Sequence, residues 1–113
     1  MKLIDKTISI AELKQISQMI FGGLVKAVVD IKKETMVVDA AMHADEEHEL
    51  LKQGSKQDDL WGINLYPELT GDDFIEFDSM INVPPRLNNF SRDIENEQLR
   101  KKIVSIVQKL VKQ

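Results

Sequence analysis

Leu24-Val25-Lys26-Ala27-Val28-Val29-Asp30-Ile31, then Lys32-Lys33-Glu34, then Thr35-Met36-Val37-Val38-Asp39-Ala40 is the stretch in which the hydrophobic period drops to two. Val25, Ala27, Val29 and Ile31 alternate with Lys26 and Asp30, and Met36, Val38 and Ala40 alternate with Thr35, Val37 and Asp39. Successive side chains of a strand point to opposite faces, so each run offers one apolar face for burial. The β-branched bias and the short charged break between the runs predict a hairpin. The break holds neither Asn-Gly nor Asp-Gly, which leaves its turn type open.

On the N-terminal side, Ser9-Ile10-Ala11-Glu12 has the form of a helix capping box. Leu13, Ile16 and Ile20 follow at helical spacing and Gly22-Gly23 supplies a stop, which predicts a helix over 10–21. On the C-terminal side, the acids of Asp45-Glu46-Glu47-His48-Glu49 precede Leu50-Leu51 and Gly54, predicting a short helix over 45–53 anchored by the two leucines. Trp61, Ile63 and Leu65 alternate with Gly62, Asn64 and Tyr66 up to Pro67, a third strand. After the turn Thr70-Gly71-Asp72, the residues Ile75, Phe77 and Ile81 alternate with Phe74, Glu76, Asp78 and Met80, a fourth strand expected to pair with the third. Pro84-Pro85 and Asn88-Asn89 make 82–92 a loop. Leu99, Ile103, Ile106 and Leu110 form the stripe of a last helix, capped by Asp93 or Asn96 and running to the terminus.

The order α-β-β-α-β-β-α predicts an α+β two-layer domain: one mostly antiparallel four-stranded sheet packed against the N- and C-terminal helices, with residues 1–113 as one domain. Composition narrows the function classes. The 113 residues carry 15 basic and 19 acidic side chains, for a net charge of −4 and a pI near 5.1. A nucleic-acid partner is therefore not expected; Lys101, Lys102, Lys109 and Lys112 on the last helix read as a solvated basic face, with no aromatics interleaved. With no cysteine there is no disulfide framework, thiolate nucleophile or cysteine zinc site. No apolar run approaches the roughly 20 residues of a membrane span, and the start lacks the apolar stretch of a signal peptide, so the expected address is the cytoplasm.

The blocks Val38-Asp39-Ala40-Ala41-Met42-His43-Ala44-Asp45, Gly54-Ser55-Lys56-Gln57, Leu60-Trp61-Gly62-Ile63-Asn64-Leu65-Tyr66-Pro67 and Phe74-Ile75-Glu76-Phe77-Asp78-Ser79-Met80-Ile81-Asn82, together with 24–31, carry a resemblance. The chain resembles a family of small prokaryotic proteins known only as a domain of unknown function. The likeness spans nearly the whole chain after about residue 15, with 83–92 its weakest part. It implies a prokaryotic cytoplasmic source and brings no activity, cofactor or site residue with it.

Strand alternation places Lys26, Asp30, Asp39, Asn64, Tyr66, Glu76 and Asp78 on the face turned away from the two main helices. Val28, Val37, Phe74 and Met80 share that face, and this mixed apolar and acidic surface is the expected interface of a homodimer or of a protein partner. Asp39, His43, Asn64, Glu76 and Asp78 form the candidate polar site. With Asp45 and His48 they offer oxygen and imidazole donors to a divalent ion, which is the alternative reading: a metal-dependent hydrolase acting on an anionic small molecule. His43 and His48 are five apart and miss the i, i+4 alignment of helical ligand pairs, so hydrogen-bonded and solvated histidines are the plainer expectation and no metal site is assigned. Arg86, Asn88 and Arg92 form a candidate anion site, against the ordinary role of pinning the loop to Asp78, Asp93 or Glu95. No phosphate-binding glycine loop and no Gly-x-Ser-x-Gly elbow is present, and the cofactor stays unknown.

Overall fold

The hairpin forms as its alternation demands. In the computed structural model, which describes residues 1–19, 23–84 and 88–113, β3 (Val25–Asp30) pairs antiparallel with β4 (Thr35–Val38), Val29 opposite Met36. Asp30 makes the turn: its Oδ1 accepts from the backbone N–H groups of Lys32 and Lys33 at 2.9 Å each. Its Oδ2 accepts from Ser55 Oγ at 2.6 Å, which locks the turn to the following segment. The left-handed φ of 57° at Glu34 completes the reversal.

Three further strands extend the sheet. β1 (Lys2–Ile4) lies beyond β4, β5 (Leu60–Leu65) lies on the other side of β3, and β6 (Ile75–Glu76) follows β5. The sheet therefore has five strands in the order β1-β4-β3-β5-β6, every pair antiparallel, where four were expected. A separate parallel pair joins β2 (Ile8–Ser9) to β7 (Val111–Lys112), Ile8 opposite Val111. The sequence order lacked β1, β2 and β7 because strands of two or three residues cannot display a period.

Among the described residues there are three α-helices: α1 (Ile10–Met19), α2 (His43–Lys52) and α3 (Glu97–Leu110). Ser9 Oγ accepts from the Glu12 N–H at 3.1 Å, so the cap forms, while the Glu12 carboxylate pairs with Lys2 of β1. The expected continuation through Ile20 and Phe21 to Gly22 lies outside the described residues. Asn96, not Asp93, caps α3, accepting from the Leu99 N–H at 3.0 Å, and α3 stops at Leu110 rather than at the terminus.

Two buried clusters occupy opposite faces of the sheet. On one, Val25, Ala27, Val29, Met36, Val38, Trp61, Ile63 and Leu65 meet Leu13 and Ile16 of α1 and Ile103, Ile106 and Leu110 of α3. On the other, Val28, Val37 and Leu60 meet Leu50 of α2. The two-layer expectation thus becomes three layers, because α2 presents His43, Glu46 and Leu50 to the sheet at i, i+3 and i+7. The expected fourth strand also contracts. After Glu76 the chain leaves the sheet, and Met80–Asn82 form a 3₁₀ turn.

Candidate functional site

Register brings one row of polar groups together on the α2 side of the sheet. Lys26 stands opposite Asn64, and Asn64 opposite Glu76. Asn64 Nδ2 donates to Glu76 Oε1 at 2.8 Å, and the Tyr66 hydroxyl donates to the same oxygen at 3.0 Å. Asn64 Oδ1 is buried without a hydrogen-bond partner among the described residues. Partial burial and the neighbouring Glu76 carboxylate hold the Tyr66 phenol above its ordinary pKa. At the end of the row, Arg92 Nε donates to Asp78 Oδ1 at 2.6 Å.

Helix α2 lowers two titratable groups onto this row. His43 is 7% exposed, and its Nε2 lies 2.7 Å from the Ile63 carbonyl oxygen, so Nε2 carries the proton and donates. Burial depresses the His43 pKa, against the pull of that hydrogen bond, and the ring is neutral near pH 7. Glu46 is 0% exposed, and neither carboxyl oxygen has a hydrogen-bond partner among the described residues. Burial pushes its pKa up to about 9; the Ala40 backbone and the Lys26 charge oppose the shift without either making a well-formed bond to it. Glu46 is therefore a carboxylic acid, not a carboxylate, at neutral pH.

Around the edge of the sheet lies a second feature. Two hollows of about 660 and 840 Å³ adjoin, sharing Leu69, Asp72, Ile75, Phe77 and Arg100, so they form one trench. One wall is the chain around β6; the other is α3 with Val104 and Val107. Phe74, Ile75, Phe77 and Val104 are half-buried there, Leu69 is 46% exposed, and the Arg100 guanidinium lies 4.7 Å from the Phe77 ring centroid.

The family described as "Protein of unknown function (DUF5674)" matches residues 2–110. The chain belongs to this family. No curated protein and no solved structure matches it. The DUF5674 assignment brings no chemistry of its own, so the residues must supply it.

In this DUF5674 chain the predicted polar site is partly assembled. Asn64 and Glu76 touch, and the charge of Asp78 reaches His43, as does that of Arg92. Asp39 sits past the end of β4 at a φ of 70°, where its charge is felt by Glu46. Asp45 and His48 are exposed on α2, and among the described residues no group of three or more His, Asp and Glu side chains is placed to hold a metal ion. Of the anion candidates, Arg86 lies outside the described residues, Asn88 is exposed at a φ of 54°, and Arg92 is engaged by Asp78.

The four expected interface residues part company. Val28 and Val37 are fully buried beneath α2 and cannot meet a partner, because Leu50 of α2 already packs against them. Phe74 lines the trench, and Met80 is 65% exposed on its 3₁₀ turn. Sequence reasoning missed Glu46 by anchoring this acidic helix on its two leucines alone, whereas the helix buries His43, Glu46 and Leu50. Beginning the helix at Asp45 excluded His43 and hid the i, i+3, i+7 pattern that reveals the inner face.

Among the described residues no helix is long and apolar enough to cross a membrane.

Proposed function

We propose that this domain is a protein-interaction module that receives a segment of a partner in the trench between α3 and the chain around β6. The observation that supports it is a contrast in burial. The apolar faces of the sheet are closed by α1 and α3 on one side and α2 on the other. Phe74, Ile75, Phe77 and Val104 stay half-open along a trench whose hollows each reach the size of a small-molecule pocket and run into one another. Glu76 and Asp78 stand at the trench, so acidic groups adjoin its apolar walls. The buried acid Glu46 does not favour catalysis, since a general acid must reach the atom it protonates and Glu46 has no exposure.

The test is a photo-crosslinking residue placed at Leu69 in cells, with the same residue at exposed Lys56 as control. A discrete adduct at Leu69 and none at Lys56 is expected, and mass spectrometry of the adduct names the partner. An adduct with a second copy of this chain makes the module a homo-oligomer. No adduct at Leu69, nor at Gln108 on the opposite wall, would end the reading.

A further inference from the structure

The trench has an uneven charge. Six carboxylates line its two hollows against two basic groups, Lys14 and Arg100. Most of these charges are already engaged. Lys14 pairs with Glu68 at 3.8 Å, Arg100 lies 4.0 Å from Asp93, Asp78 holds Arg92, and Glu76 accepts from Asn64 and Tyr66. Asp72 and Asp73 differ. They lie on the exposed turn Gly71–Asp73 at the trench wall and form no ion pair among the described residues.

An incoming segment must contend with those two carboxylates. An acidic segment brings like charges within the screening distance of about 8–10 Å, and a neutral one takes water from Asp72 and Asp73 and returns no counter-charge. A segment with lysine or arginine beside an apolar anchor meets both demands: the anchor packs on Phe77 and Val104, and the cations face the turn. Resting on the docking reading above, we infer that the trench selects a lysine- or arginine-rich segment of a partner protein that carries an apolar anchor.

Fluorescence anisotropy with the full chain and short labelled peptides tests this. Three peptides share a leucine anchor flanked by lysines, by glutamines or by glutamates. The lysine peptide is expected to bind roughly tenfold or more tightly than the glutamine peptide, with several-fold loss between about 50 and 200 mM salt and no binding of the glutamate peptide. The double variant Asp72→Asn/Asp73→Asn, both positions exposed, should weaken the lysine peptide by about tenfold and leave the glutamine peptide unchanged. Val104→Arg should block both, and a melting curve on each variant checks that the fold is retained.

Equal binding of lysine and glutamine peptides, both lost in Val104→Arg, overturns the charge selection and leaves the docking reading standing. Indifference of the lysine peptide to the double variant also overturns the charge selection. Displacement of the lysine peptide by spermidine at equal charge overturns the anchored-segment inference in favour of a diffusible polycation. Absence of binding by every peptide overturns the inference, and with no adduct at Leu69 or Gln108 it removes the docking reading too.

Discussion

Glu46 sets an unusual condition on stability. Its folded pKa of about 9 lies above the unfolded value of 4.5, so the protonated acid favours the folded state. That contribution is complete below the unfolded pKa and is lost as pH rises toward the folded one. Between about pH 5 and 9 this single residue should cost up to roughly 1.4 kcal/mol per pH unit. Glu46→Gln removes the titration, so chemical denaturation across that window should show a flatter stability profile in the variant; an unchanged slope would refute the assignment. His43 acts in the other direction. Its depressed pKa favours the neutral ring, and stability should fall as pH drops below the ordinary histidine value of 6.5. His43→Gln should lose that acid-side decline while also weakening the contact to the Ile63 carbonyl. Neither group was legible as buried, because sequence marks the polarity of α2 and only packing tells which of its polar side chains the sheet covers.

At the scale of elements, the contraction of β6 leaves part of β5 without a neighbouring strand. Asn82 takes the place of one: its Oδ1 accepts from the Gly62 N–H at 2.9 Å and its Nδ2 donates to the Gly62 carbonyl at 3.0 Å. Nδ2 also reaches the Arg92 carbonyl, and the buried Asn89 amide lies 2.7–2.9 Å from the carbonyls of Asn82, Ser91 and Asp93. Two asparagines therefore organise the segment that composition identified only as a loop. Asn82→Ala should cost roughly 2 kcal/mol or more, read as a lower melting temperature, because it strips partners from buried backbone groups. Gly62→Ala should also destabilise, by about 1–3 kcal/mol, since a Cβ there would stand 2.5 Å from Ser79 Cβ. The hairpin β3–β4 was readable because its alternation is local. The end of β6 was not, because Phe77 and Ile81 continue the alternation while the backbone turns away to meet Gly62.

At the scale of the molecule, three layers arise because α2 covers what α1 and α3 leave bare, and the parallel β2–β7 pair ties the chain's early and late segments together. Ile8 and Val111 are 2% and 6% exposed in that pair. Val111→Asp should lower the melting temperature and shorten protease lifetime, whereas Lys112→Asp, at an exposed position, should change neither much. The α+β class and the antiparallel pairing followed from periodicity in the longer elements; the tie did not, since two-residue strands carry no pattern. The tie bears on biosynthesis. Leu13, Ile16 and the first three sheet strands emerge from the ribosome long before α3 and β7, which complete their cover. Until α3 and β7 have left the ribosome the earlier apolar surface lacks that cover, so a synonymous-codon pause placed before Glu97 should raise aggregation in a chaperone-depleted lysate.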